Sequence, residues 1–296
     1  MFRDGEQRHD DADLYLSDQS IRLRRMMFDR ACLDRFSVPG GPRIAYAIQG
    51  KGDLLIFLHG VGGNKLNWLP QISRFSQRFT TVAWDARGYG DSDDDPPLES
   101  FADFADDLAG LILHLDQGPA HIVGLSMGGL IALDLVHRYR HLVTSLVLAD
   151  TAAGFGTSTA QERQEFLERR LTPLLAGASI AQIAPGMVEV LVTEQSSAQV
   201  RTAVLDSLLR LRTQPYIRAL TAFTTTDFAS ALSCINKPTL VIVGEEDRVL
   251  PPERSKALAE RIRDAHLVVI PACGHLSNIE CSDAFNDHLE RFLSGL

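Results

Sequence analysis

Within the run HIVGLSMGGLIALDLV, one hydroxyl stands between glycines: Gly124-Leu125-Ser126-Met127-Gly128. A serine hydroxyl attacks a carbonyl only when a base takes its proton, and that base works best when a carboxylate orients it. The Gly-x-Ser-x-Gly spacing suits a serine on a very sharp turn from strand to helix. Side chains two residues before and after it would collide across the turn. The plainer reading is a small-residue turn with an incidental hydroxyl. The flanks argue against it: HIVG reads as a buried strand, and MGGLIALDLVHRY reads as a helix buried behind a sheet.

The chain offers nine histidines as the base. His9 lies near the N-terminus, and His114 and His288 sit late in amphipathic helices. His121 and His266 open strands, and His137 and His141 lie past the end of the apolar helix stretch. His275 follows the last strand in a Gly-His loop, at the strand edge where function gathers in open α/β sheets. For the carboxylate, Asp247 ends the run PTLVIVGEED, 28 residues before His275 (275 − 247). That separation leaves room for one helix and one strand. Glu245, Glu246 and Asp150 compete with it. The acid would hold the imidazole in one tautomer and stabilise its cation.

These residues need a frame. DRFSVP, RIAYAIQG, DLLIFLHG, RFTTVAWD, AHIVGLS, SLVLAD, PTLVIVGEED and AHLVVIPA read as strands, and most are continuously apolar, as strands covered on both faces must be. Helical stretches separate them, clearest in SFADFADDLAGLILHLD, where Ser100 and Asp103 suggest a variant capping box. PPERSKALAERI starts with the prolines that suit a first helical turn. Strands alternating with helices predict an α/β fold with a mostly parallel sheet. Residues 152–230 break the alternation with helical patterns and no convincing strand. Residues 1–31 read as a loosely held extension, with SIRLRRMMFDRACLDRF as a candidate short helix.

Five stretches in this order resemble the α/β-hydrolases: FLHGVGGN, DARGYGDSD, GLSMGG, VGEEDRVLPP and ACGHLSNIE. The resemblance runs from about residue 35 to the C-terminus. It implies an eight-stranded, doubly wound sheet, with a core of residues 32–151 and 231–296 and a helical lid of 152–230. It implies a Ser126–His275–Asp247 triad; a few relatives place the acid where Asp150 stands. The oxyanion hole would use the N–H groups of Met127 and Val61. His59 would tie a loop down, and Asp85 and Arg87 would hydrogen-bond within the structural turn DARGYGDSD.

Among the family, LADTAAGFGT and PTLVIVGEEDRVLPP look most like 3-oxoadipate enol-lactonases and small-ester hydrolases. The expected partner is therefore a small ester or lactone, with Val61, Trp68, Phe155 and Tyr216 as pocket residues. Trp68 reads equally as a pocket wall or a helix anchor. The inserted helices also carry Arg163, Arg169, Arg170, Arg201, Arg210, Arg212 and Arg218. One could pair with a substrate carboxylate, although for each a solvated face with acidic partners is the plainer reading. Carbon–carbon hydrolases of ring-fission diketones use the same triad, as do cofactor-free haloperoxidases. Haloalkane dehalogenases need an aspartate where Ser126 stands. A slow-turnover small-molecule receptor on the same fold is a further alternative.

Composition narrows the rest. A net charge of −9 does not suit nucleic acid or an anionic membrane surface, and no apolar run reaches membrane-spanning length. The polar N-terminus does not read as a secretory signal. Cys32, Cys234, Cys273 and Cys281 lack metal-ligand spacing and read as reduced thiols of a cytoplasmic protein, with Cys273 a small buried filler. No phosphate loop, dinucleotide fingerprint or zinc spacing is present, so no cofactor or metal is expected. A homodimer is compatible with the sequence.

Overall fold

The computed structural model describes residues 32–156 and 158–296. Eight strands form one sheet: β1 (Cys32–Ser37), β2 (Arg43–Gln49), β3 (Leu54–Leu58), β4 (Thr80–Trp84), β5 (Ala120–Leu125), β6 (Val143–Ala149), β7 (Thr239–Gly244) and β8 (His266–Ile270). Their spatial order is β1-β2-β4-β3-β5-β6-β7-β8. β1 and β2 pair antiparallel, as do β2 and β4; every other pairing is parallel.

Strands β3, β4, β5 and β7 are buried along their whole length, as their continuous apolarity requires. β8 differs. It reads equally apolar in sequence, yet Leu267 is 37% and Val269 44% exposed. It is the sheet's edge, with a neighbour on one side only. At the other edge, β1 takes up Cys32–Phe36, so that part of the helix expected over SIRLRRMMFDRACLDRF is strand. The rest of that stretch lies outside the described residues, as does the expected extension.

Helices cover the sheet: α1 (Leu69–Phe75), α2 (Ala102–Leu115), α3 (Met127–Arg138), α4 (Ala160–Leu175), α5 (Ile180–Leu191), α6 (Ala198–Leu209), α7 (Thr213–Phe223), α8 (Pro252–Ala259), α9 (Ser277–Glu280) and α10 (Ser282–Ser294). α2 buries Phe104, Ala105, Leu108, Leu111 and Ile112, the stripe its period dictates. Helix α3 is buried over its first ten residues, which explains why its sequence shows no polar face there. Four helices, α4 to α7, fill the interval between β6 and β7. Among the described residues there, the only strand-like contact is one bridge, Gly154 to Asp227. Ser179 caps α5 and Thr159 caps α4, each in a full capping box. Two apolar clusters face away from opposite sides of the sheet, and a smaller one joins α5 and α6. Among the described residues, no helix is long and apolar enough to cross a membrane.

Candidate active site

Ser126 stands between the end of β5 and the start of α3 with φ 53° and ψ −115°. A non-glycine residue held there is strained by roughly 1–3 kcal/mol, which the surroundings must offset. The Ser126 N–H donates to the Ala149 carbonyl at 2.9 Å, and Thr151 Oγ1 donates to the Ser126 carbonyl at 2.8 Å. The flanking glycines have a steric cause. A Cβ on Gly124 would lie 2.3 Å from the Gly128 carbonyl oxygen, and one on Gly128 would lie 2.2 Å from that of Leu58 on β3. The turn closes only without those side chains.

The structure brings Ser126, His275 and Asp247 together. Ser126 Oγ lies 3.0 Å from His275 Nε2, and His275 Nδ1 lies 2.8 Å from Asp247 Oδ2. A carboxylate can only accept, so Nδ1 carries the proton and the Nε2 lone pair faces the serine. Asp247 is fixed in turn: its Oδ1 accepts from the Val249 and Leu250 N–H groups at 2.8 and 2.9 Å. Burial alone would lower the pKa of His275. The charge and hydrogen bond of Asp247, with the charge of Asp150, outweigh it and raise the value.

Asp150 is fully buried and makes no hydrogen bond to the His275 ring among the described residues. Its Oδ1 accepts from the Gly244 N–H at 3.0 Å, and its Oδ2 accepts from the Ser277 N–H and hydroxyl at 3.1 and 2.5 Å. Burial pushes this carboxyl up to about 7, against the charge of His275 and these hydrogen bonds. It ties the end of β7 to the segment after His275. Glu245 and Glu246 are exposed.

A cavity of about 50 Å³ opens beside Ser126, with Val61, Trp68, Leu125, Val204, His275 and Leu276 in its wall. The Met127 N–H at the first turn of α3 and the Val61 N–H carry no hydrogen bond among the described residues. Trp68 both lines the cavity and anchors a helix; its ring lies 5.1 Å from Phe57 and 6.1 Å from Phe285. Phe155 and Tyr216 do not line this cavity. Phe155 packs into an aromatic cluster, 5.0 Å from Phe166 and 5.6 Å from Phe223, because α4 and α7 need a shared apolar contact. Tyr216 is buried in the same core. His59 is locked: Nδ1 donates to the Gly60 carbonyl at 2.8 Å and Nε2 accepts from the Ala86 N–H at 3.0 Å.

Glu280 has no signal in the sequence. Its Oε2 accepts from the Gly274 N–H at 2.7 Å, next to His275. Its Oε1 accepts from the Thr193 N–H at 2.7 Å, the Thr193 hydroxyl at 2.6 Å and the Ser196 hydroxyl. The His275 N–H itself donates to the Leu191 carbonyl at the end of α5, 2.9 Å away. Arg248, next to Asp247, donates to the Val192 carbonyl at 2.8 Å. The histidine and aspartate loops are thus stitched to the inserted helices by backbone and a partly buried carboxylate.

The model of the alpha/beta hydrolase family matches residues 55–288 of this sequence, most of its length. The chain belongs to the alpha/beta hydrolase family. This hydrolase is 30% identical over 249 residues to the 3-oxoadipate enol-lactonase 2 of Acinetobacter baylyi, covering 83% of this chain and 91% of the relative. It is also 30% identical over 241 residues to the 2-(acetamidomethylene)succinate hydrolase of Mesorhizobium japonicum, covering 78% and 84%. A thermophilic esterase from Thermogutta terrifontis, solved with malate bound, superposes with a TM-score of 0.81 at 27% identity, covering 90% and 98% of the two chains. The α/β-hydrolase resemblance and the eight-stranded sheet expected from the sequence are both borne out.

A further expectation, about the loop DARGYGDSD, is corrected in part. Asp85 does hold its own loop, accepting from the Asp91 N–H at 2.8 Å and from Lys65. Arg87 instead leaves the loop and makes a two-pronged pair with buried Asp107 on α2, at 2.9 and 2.7 Å. Asp107 interrupts the apolar face of α2 and needs a buried cation.

Proposed function

We propose that this protein is a serine hydrolase that cleaves a small ester or lactone through an acyl-enzyme on Ser126. The observation that carries the reading is the unbroken relay from Ser126 Oγ to His275 Nε2 at 3.0 Å and from His275 Nδ1 to Asp247 Oδ2 at 2.8 Å. In the first half-reaction His275 takes the serine proton as Oγ bonds to the carbonyl carbon. The developing oxyanion is held by the Met127 and Val61 N–H groups, and the leaving oxygen receives the proton from His275. In the second half-reaction His275 takes a proton from water, which attacks the acyl carbon and releases Ser126. Asp247 keeps the imidazole in the useful tautomer throughout. The helices α4 to α7 act as the lid.

A cavity of about 50 Å³ supports a compact acyl group, not a long chain. The relatives named above, a lactonase, a hydrolase of a succinate derivative and an esterase, support hydrolysis of small substrates. The test is a panel of p-nitrophenyl esters of short and long acids, a neutral lactone, an anionic lactone and a vinylogous diketone, run on the parent and on Ser126→Ala. Hydrolysis of short esters or lactones that falls by several orders of magnitude in Ser126→Ala is expected. Cleavage of the diketone alone would move the protein to the carbon–carbon hydrolases.

A further inference from the structure

The loop from Gly60 to Gly63 lines the cavity beside Ser126, and a Cβ on Gly60 would lie 3.2 Å from that of Ser126. Ser207 reaches this loop from α6. It is buried and lines the same cavity. Its hydroxyl meets the Gly62 carbonyl at 3.1 Å and Asn67 Oδ1 at 3.0 Å, and it accepts from Asn64 Nδ2 at 3.0 Å.

The directions of these bonds are fixed by their neighbours. Asn64 Oδ1 accepts from the Leu66 N–H at 2.9 Å, which leaves Nδ2 as the end that donates to Ser207. The single hydroxyl hydrogen of Ser207 therefore goes to Gly62 or Asn67. Asn67 Oδ1 already accepts from the Asn64 N–H at 2.7 Å, whereas Ser207 is the donor that meets the Gly62 carbonyl. Leu208, the next residue on α6, presses on the same glycine: a Cβ on Gly62 would lie 2.9 Å from Leu208 Cδ2.

A peptide unit is planar, so a hydrogen bond at its carbonyl also sets the direction of its N–H. The Ser207 hydroxyl holds the unit between residues 62 and 63 by its carbonyl. The N–H of that unit, on Gly63, donates to the Gly60 carbonyl at 2.9 Å. That carbonyl belongs to the unit between residues 60 and 61, whose N–H is the Val61 N–H. Donation into the first carbonyl also polarises the second bond. His59 Nδ1 donates to the Gly60 carbonyl as well, at 2.8 Å, so this unit has two holds, and one of them runs back to the inserted helices.

We infer that Ser207 is a positioning residue for the oxyanion hole: from α6, through the Gly62 and Gly60 carbonyls, it aims the Val61 N–H at the reacting carbonyl, so that the inserted helices complete the site as well as cover it. This deepens the hydrolase reading and rests on it. Ser207 acts through the loop and takes no part in bond making.

The test uses Ser207→Ala, which removes the donor, and Ser207→Cys, which keeps the shape and offers a weaker donor. Circular dichroism checks each fold, and either folded variant suffices. A whole oxyanion donor is worth roughly 10²–10³ in kcat, so loosening one is expected to lower kcat on p-nitrophenyl butyrate by about tenfold or more. KM should stay within about twofold of the parent, the mark of an interaction made in the transition state. The affinity for butylboronic acid, which forms a tetrahedral adduct on a serine, should fall by about tenfold as well. The rising limb of the pH profile should stay in place, because His275 is untouched. An unchanged kcat, a loss confined to KM, or a limb that moves overturns the proposal. Exchange of the Gly63 amide is followed in parallel by NMR on Ser126→Ala and on Ser126→Ala/Ser207→Ala. Faster exchange in the double variant supports the positioning role even if no ester turns over, which would sink the hydrolase reading alone. Unchanged exchange beside normal hydrolysis by the parent would sink the positioning role alone.

Discussion

On the proposed mechanism Ser126 attacks only while His275 is neutral, so the rate should climb with pH through the pKa of His275. That pKa is raised, by Asp247 and Asp150 against burial and Arg170. The rising limb of kcat/KM is therefore expected above the ordinary histidine value of about 6.5. Asp150→Asn removes a nearby negative charge, which lowers the pKa of His275 and moves that limb to lower pH. A limb that stays in place, in a variant with unchanged circular dichroism, would show that Asp150 acts through its hydrogen bonds alone. Asp247→Asn should cost roughly 10³–10⁴ in kcat by favouring the wrong tautomer, and Asp150→Asn far less. The reverse order, read from steady-state kinetics, would transfer the orienting role to Asp150. Chain order and strand ends made Asp247 legible in the sequence. The environment of Asp150 was not, because its contacts with Gly244 and Ser277 lie 94 and 127 positions away.

At the scale of elements, the turn between β5 and α3 was readable because its steric demands are local. Gly124 and Gly128 meet each other across a few residues, and the apolar flanks identify the strand and the helix. Gly128→Ala would drive a Cβ against the Leu58 carbonyl, and overpacking of this kind costs roughly 1–3 kcal/mol. Urea denaturation should show that loss, and an unchanged midpoint would mean the turn relaxes freely. The stitching by Glu280 was not readable. Its acceptor atoms serve Thr193 and Ser196, 87 and 84 residues earlier, and no local pattern records such a pairing. Glu280→Ala leaves several donors without a partner, and hydrogen exchange should quicken at 191–196 and 273–276 together. Quickening confined to one segment would contradict a clamp between them. Phe155 and Tyr216 were misread for a related reason: an apolar residue on an inserted helix looks the same whether it faces a pocket or a neighbouring helix.

Over the whole molecule, the alternation of apolar strands and amphipathic helices was enough to give the sheet. Burial at its edge was not, since the apolarity of β8 does not say how many neighbours the strand has. What the chain builds is a sheet edge carrying Ser126, Asp247 and His275, with two of the three loops bonded to the inserted segment. The chemistry proposed for that edge has a direct test. The protein is mixed with the p-nitrophenyl monoester of succinic acid, quenched in acid during turnover, and digested for peptide mass analysis. The account predicts a mass increment of one succinyl group on the peptide that holds Ser126, and none in Ser126→Ala. Steady p-nitrophenol release with the Ser126 peptide unmodified, or with kcat of Ser126→Ala within about tenfold of the parent, would contradict it.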